Sequence, residues 1–542
     1  MEAYTTRRIS VNADKEAGAI SEHIKVIDAP LNESQYFTGK RLFIVHSAIL
    51  LSILLIALDQ SIVAIAIPRI VSEFHALSSV SWIASAYFLT QAGFLLFYGK
   101  LLAIFPTKYV YLAAITLFEL GSIVCAVAMN MNTLIFGRAL SGVGAAGIFT
   151  SALAIIAEIA PIEKRPLLFG SFGVDFGLAA VLGPLLGGVF TERVSWRWCF
   201  YINAPIGGLS LAMIVFFLKG DYTALNRSEA SEHTVLQRWL RLDWFGTILC
   251  VGIVTILPLP LQWGGVTKAW RDPTVIASFC ASGVVLIAFI ILEWKMGKRA
   301  IMPLYMFRRS TQVGCCLIAF FVYMLLALGV YYLPLIYQAK GRSAIQSGID
   351  VLPFMLSLVI GESISGGLIS VMGRYWYWLA LSPPIASIGA GLLFTTDIHT
   401  PQRYLIGYQI LYGFGIGGAL QTTWVAVQAE FHSEEHMISQ STSLIMFAQL
   451  IGGVIGMAVT GSIFANQLVK ELAEFAPHLA PDVAHSVRQS VSYMFTLPLD
   501  EQEAVISAYS RSLDYVWSLG VPSGVLASLA AFMVRNYDLM KM

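Results

Sequence analysis

The stretch GLAAVLGPLLGG, from Gly177 to Gly188, decides what kind of chain this is. It lies inside an apolar run over 167–190, long enough to cross a bilayer core, which needs roughly 20 apolar residues. Gly177, Gly183, Gly187 and Gly188 recur along it with Pro184 among them. Small residues let helix backbones approach closely where lipid leaves no hydrophobic drive between helices. The run therefore reads as a kinked transmembrane helix with a flat surface turned toward the opposite half of the molecule. Asp175, two residues before Gly177, places a carboxylate on the same helix.

The rest of the chain agrees. Of 542 residues, 57% are hydrophobic and 12% charged, with mean hydropathy +0.71. Soluble domains carry about 25% charged residues. A water-soluble protein of this size could not cover so much apolar surface, so lipid acts as its solvent. The net charge of +1 and the lack of a long basic run exclude a nucleic-acid partner. The six cysteines show no CxxC and no metal-ligand spacing and read as small core residues. No metal and no cofactor is expected. The first residues are polar and mixed in charge, as in a disordered tail rather than a signal peptide.

Apolar runs of spanning length occur over 43–67, 80–102, 109–129, 133–156, 167–190, 199–218, 244–263, 274–293, 311–338, 347–371, 376–395, 403–426, 440–465 and 514–534. The seventh carries Pro258 and Pro260. With the N-terminus cytosolic, the larger share of the 34 Lys and Arg falls inside, including Lys164, Arg165, Lys295, Lys298, Arg308 and Arg309. That is the positive-inside pattern, with both termini in the cytosol. The sequons at Asn32 and Asn226 then face the cytosol and stay unglycosylated. One long outer loop, 466–513, suggests short amphipathic helices.

The two halves repeat. Span four reads RALSGVG, Arg138 to Gly144, and span twelve reads QILYGFG, Gln409 to Gly415. GKL at Gly99 after span two matches GGL at Gly366 after span ten. Repeated halves are the usual build of secondary transporters, with the substrate site where they meet. The expected organisation is a tail over 1–42, a six-helix bundle over 43–218, a cytosolic loop and two extra helices over 219–310, a second bundle over 311–535 and a short tail over 536–542.

These motifs resemble the major facilitator superfamily, in particular its fourteen-span drug:proton antiporter branch of fungal efflux transporters. LDQSIVAIAIP (Leu58 to Pro68) is similar to the branch's LDxTIVNxALP signature. RALSGVG carries its RxxxGxG motif with Gly142 and Gly144, and GLAAVLGPLLGG carries its antiporter motif GxxxxxGPxxGG. WRWCFYINAPIGG (Trp196 to Gly208), LDWFG (Leu242 to Gly246) and SAIQSGIDVLP (Ser343 to Pro353) fit as well. The resemblance covers about residues 43–535 and implies an all-α polytopic major facilitator fold: two six-helix bundles plus two inserted linker helices. One departure stands out. The family's loop GxLaDrxGRK is here GKLLAIFPTK, Gly99 to Lys108, with Ala103 for the family's Asp, Pro106 for its Gly and Thr107 for its Arg. The family uses that acid to hold the cytosolic side shut, so this chain must latch that face another way.

Ionisable groups inside spans cost about 2.5–3.5 kcal/mol on insertion scales and tend to be functional. Asp59 in span one and Arg138 in span four can offset each other's desolvation, either as a structural pair or as a proton site tuned by Arg138. Asp175 can bind a proton or cationic substrate, or be solvated near the cytosolic lip. Glu119 in span three reads as a locally paired structural acid or a coupling group. Glu362 in span ten has no counterpart in the branch and is a candidate for substrate-specific chemistry. GGVIGMAVTG, Gly452 to Gly461, is the glycine-rich C-half equivalent of the antiporter run, without its proline. Trp82, Tyr87, Tyr331, Tyr332 and Trp424 are candidates to line an apolar cavity, or serve as interface belts.

No GxxxxGK[ST] loop is present, so an ion gradient rather than ATP is expected to drive the cycle. The implied activity is export of an amphipathic drug, toxin or secondary metabolite by proton antiport from a monomer in the plasma membrane, with the vacuolar membrane second. Its partners are the small molecule, protons and the bilayer. Proton-coupled uptake of a siderophore or basic amino acid is the rival within transport. A membrane sensor or intramembrane enzyme is the rival outside it, although neither a signalling extension nor a catalytic His cluster is legible.

Overall fold

The structure is a computed structural model that describes residues 36–542 except 75–79, 219–233, 241, 265–267, 398, 435–436 and 490. Most of the expected N-terminal tail and both sequons fall outside the described residues. Helices account for nearly everything else, and the described residues form no strand beyond one isolated bridge between Gly264 and Lys268.

The first bundle contains α1 (Gly39–Phe74), α2 (Val80–Ile104), α3 (Thr107–Ala126), α4 (Met131–Ile159), α5 (Arg165–Arg193) and, after a short turn of helix, α6 (Asn203–Phe217). The inserted pair is α7 (Trp244–Ile256), extended by Pro258–Trp263, and α8 (Pro273–Met296). The second bundle contains α9 (Ser310–Ala339), α10 (Leu352–Met372), α11 (Trp376–Phe394) and α12 (Gln402–Leu420). It continues with the separate helix Thr422–Glu430, then α13 (Ile438–Phe475), α14 (Leu499–Trp517) and α15 (Gly520–Ala531). Some of the starts have a local cause. Asn130 accepts from the Thr133 amide at 2.9 Å to open α4, and Asp243 accepts from Gly246 at 2.7 Å to open α7. Ser343 and Gln346 form a capping box one helix before α10, and α10 ends on Gly373 at φ +68°, a conformation that favours glycine.

Thirteen helical segments among the described residues are long and apolar enough to cross a membrane. The fourteenth, expected over 514–534, is divided at Ser518–Leu519. Gly520 and Pro522 start a new helix there, since proline fits the first turn, where its missing amide leaves no bond unmade. The resulting α15 has 12 residues and packs against α9 and α11. The outer segment is more helical than expected. α13 runs on to Phe475, a short helix follows at Pro481–Gln489, and α14 occupies 19 residues. Exposed Phe216, Val371 and Phe245 are apolar side chains that lipid, not water, solvates. Among the cysteines, Cys280 on α8 is exposed rather than in the core, because α8 lies at the periphery and presents most of its surface outward.

The inserted pair bridges the bundles. α7 packs on α2 so closely that a Cβ at Gly93 would lie 2.6 Å from Val251, and Lys100 Nζ donates to the Lys298 carbonyl at 2.6 Å. At the other end, Ser462 Oγ on α13 donates to the Leu261 and Gly264 carbonyls at 3.4 and 3.3 Å. Contact between the bundles themselves runs mainly along α5 with α10 and α2 with α13, with smaller contacts of α4 on α13 and of Thr422–Glu430 on α5.

Candidate functional site

Arg138 and Asp59 meet. Arg138 Nη1 donates to Asp59 Oδ2 at 2.6 Å, with the two side chains 2% and 0% exposed. Arg138 Nε donates to the Ile83 carbonyl at 3.0 Å, and its guanidinium lies 4.3 Å from the Tyr87 ring centroid. One arginine thereby ties α4 to both α1 and α2. Asp59 Oδ1 has no hydrogen-bond partner among the described residues. A carboxylate with one lone oxygen in a dry site leaves room for a proton or a polar ligand.

The glycines that follow explain the spacing. A Cβ at Gly142 would strike the Tyr87 carbonyl and the Thr90 hydroxyl on α2, whereas one at Gly144 would strike the Phe118 backbone on α3. Two residues apart, they let α4 nest between two helices at once. The second bundle repeats this. Gly413 abuts the Phe354 carbonyl and Ser357 on α10, and Gly415 abuts Ala386 and Ser382 on α11. Gln409 takes the place of Arg138 and donates to Tyr337 Oη on α9 at 2.5 Å and to the Asp350 carbonyl at 3.2 Å. The architecture is preserved, but the second bundle carries an amide where the first carries a buried charge pair.

Glu362 on α10 is 2% exposed and lies where the bundles touch. Gln421 Nε2 donates to its Oε2 at 2.8 Å. Across the seam, a Cβ on Gly173 of α5 would collide with that same oxygen. Among the described residues no basic side chain pairs with this acid. The seam continues with Gly366 against the Pro166 carbonyl, Gly170 against the Glu362 carbonyl at 3.3 Å, and Gly177 against Val359 at 3.1 Å.

Past Gly177 the glycines turn elsewhere. Gly183 abuts Ser61 and Gly187 abuts Ile62, both on α1 of the same bundle, and a Cβ at Gly188 would meet open space. The flat surface expected to face the opposite half thus faces α1 over Gly183 and Gly187, because at 3.6 residues per turn these two glycines lie on a different face of α5 from Gly170, Gly173 and Gly177. Ser61 Oγ donates to the Ala179 carbonyl at 2.9 Å one turn before Pro184. The second bundle mirrors the arrangement, with Gly452 against Phe320 and Gly456 against Met324 on α9.

Asp175 is buried on α5 with Oδ2 unpartnered, and no ion pair reaches it among the described residues. Glu119 on α3 packs against Gly207 of α6, with neither carboxyl oxygen hydrogen-bonded. It is therefore a buried acid at a helix seam rather than the paired group the sequence suggests. Trp82 and Tyr331 are exposed, while Tyr87, Tyr332 and Trp424 are buried. No group of His, Cys, Asp or Glu among the described residues has metal-binding geometry.

The end of the molecule where α1 begins is shut. Arg165 Nη1 donates to Gln428 Oε1 at 3.3 Å, the Leu167 amide to Ser370 Oγ at 3.2 Å, and Ser439 Oγ to the Gly99 carbonyl at 3.2 Å. Sequence reasoning counted Arg165 only among the cytosolic-side basic residues; it is 2% exposed. It also missed Gly173, Gln421 and Gln428. The GSFG spacing of Gly170 and Gly173 just upstream of the antiporter run was the available signal for the first. Thr107, standing for the family's Arg, donates to Glu158.

The family model described as Major Facilitator Superfamily matches residues 49–457. The efflux pump aflT of Aspergillus parasiticus is 39% identical over 510 residues, covering 93% of this chain and 98% of its own. The aspyridones efflux protein of Neocamarosporium betae is 38% identical over 445 residues, covering 82% and 78%. Among solved structures, the human organic anion transporter MFSD10 superposes with TM-score 0.60 at 13% identity, covering 92% of this chain and all of that one.

Proposed function

The chain belongs to the major facilitator superfamily, and from that premise we propose that it exports an amphipathic organic molecule, a drug or secondary metabolite, in exchange for protons. Relatives at this identity bear the names of efflux pumps, one of them for aspyridones. The observation that carries the mechanism is Glu362, a buried acid at the seam of two repeated bundles, opposite a glycine surface and without a cationic partner among the described residues. A proton or the substrate can change its state in one conformation and not the other. Asp59 beside Arg138, and Asp175, whose Oδ2 has no partner among the described residues, are the further proton-coupling groups. Glu119 is the remaining buried acid of this set; Gly177 belongs with Gly170 and Gly173 to the moving seam, while Gly142, Gly144, Gly183 and Gly187 pack within the first bundle, and Pro184 and Gly188 lie on the same α5 run.

The shut end is the cytosolic one on the positive-inside reading, with both termini there. The membrane is the plasma membrane, and each proton entering across 100 mV gains about 2.3 kcal/mol from voltage. Inverted vesicles with an imposed pH gradient test this. Substrate accumulation should follow the gradient and be lost in Asp59→Asn and Asp175→Asn at normal expression. Gradient-independent accumulation, or normal transport in both variants, would remove the antiport assignment.

A further inference from the structure

The loop that closes the cytosolic side in relatives is degenerate here, yet the face is closed, and a short helix stands at the closure. α12 stops at Leu420, and Thr422–Glu430 begins as a separate helix. The break is stabilised: Thr422 Oγ1 donates to the Gly418 carbonyl at 2.8 Å, and Gln449 of α13 donates to the Leu420 carbonyl at 3.3 Å. At the break, Gln421 holds the Glu362 carboxyl at 2.8 Å. One turn on, Trp424 inserts into the first bundle, edge-on to Phe149 of α4 and Phe169 of α5 at 5.8 and 5.9 Å between centroids. Further on, Gln428 accepts from Arg165, which is itself fixed in the first bundle by the Ala157 and Ala160 carbonyls at 2.6 and 3.0 Å. At the far end, Glu430 is anchored to its own bundle by Arg309 at 3.3 Å and Tyr537 Oη at 3.1 Å.

We propose that Thr422–Glu430 is a coupling segment, with Gln421 reading the state of Glu362 and Gln428 holding Arg165 to latch the cytosolic face. Nine residues of helix are rigid over their length of about 13.5 Å. A change in the Gln421–Glu362 bond at one end therefore moves Trp424 and Gln428 at the other. Coupling requires that the segment take a second arrangement when the bundles separate, biased by both sites. Arg165 and Gln421 act here as positioning residues, and the proposal rests on the transport reading only in assigning Glu362 a changing state.

The test is hydrogen exchange of amides in 160–170 and 438–445, read on the full chain in lipid nanodiscs without substrate or gradient. Arg165→Ala and Gln428→Ala should each raise exchange about ten- to a hundredfold, the range for losing a hydrogen bond to a charged group, and together no more than Arg165→Ala alone. Gln428→Glu should lower exchange by creating an ion pair. Glu362→Gln should shift exchange in the wild-type background and have no further effect with Gln421→Ala. Additive effects of Glu362→Gln and Gln421→Ala would overturn the coupling, and unchanged exchange in Arg165→Ala would overturn the latch. Because no transport is measured, a correct latch in a chain that fails the antiport assay remains distinguishable.

Discussion

Replacing Gly173 by alanine puts one methyl group into the seam between the bundles. Its Cβ would overlap Glu362 Oε2 and stand 2.9 Å from Cδ, while the Glu362 Cβ at 3.4 Å is an ordinary contact. Only the carboxyl end is in the way. It can stay and force the helices apart, an overpacking that costs about 1–3 kcal/mol. Alternatively it swings aside and abandons Gln421, leaving buried polar groups unpaired at a cost of about 1–3 kcal/mol. Either route penalises the closed arrangement alone, since the collision disappears when α5 and α10 separate. A bias of 1–3 kcal/mol shifts a two-state population roughly 5- to 150-fold. Spin labels on exposed Lys164→Cys and Ser433→Cys, with exposed Cys280 replaced by serine, report the gap across the shut face by pulsed electron resonance. Gly173→Ala should add a longer distance, and Gly173→Ala with Glu362→Ala should restore the short one. Gly188→Ala, which meets nothing within 4 Å, should leave the distribution unchanged. An unaltered distance in Gly173→Ala, or failure of the Glu362→Ala rescue, would refute the seam as the moving surface.

Two further outcomes are expected. Arg138→Gln strands Asp59 as a buried carboxylate and should cost about 3–5 kcal/mol, whereas Asp59→Asn with Arg138→Gln should recover most of it. Thermal inactivation rates of the purified variants measure this, and a double variant no more stable than the single would contradict it. Glu73, where α1 emerges, accepts from the Trp196 indole at 2.7 Å and from Arg197 at 2.9 Å, and these bonds hold its carboxyl below the usual range. Its stabilisation of the 195–203 turn should be present above the ordinary glutamate range, near about 4.3, and be lost as pH falls through the lowered value. The protection factors of that turn's amides, exchange taken relative to the intrinsic rate at each pH, should therefore fall in acid for the natural chain, and Glu73→Gln should abolish that fall.

Sequence alone determined the solvent, the fold and the repeat. Helices and spans follow from runs of neighbouring residues, and RALSGVG and QILYGFG repeat because each must seat one helix between two others, as Gly142/Gly144 and Gly413/Gly415 do. Motif-bearing Arg138 and Asp59 were legible for the same reason: a charge inside an apolar run has few tolerable environments. Only the tertiary structure decided what Glu362 faces, which glycines of α5 meet α10, and what shuts the degenerate face. Arg165 and Gln428 are 263 positions apart, and no local periodicity records that pairing. A basic residue at a helix start looks solvated until another bundle covers it. Which residues meet across the seam depends on how two rigid bundles dock, a choice set by the glycine surfaces of α5 and α10 together rather than by either stretch read by itself.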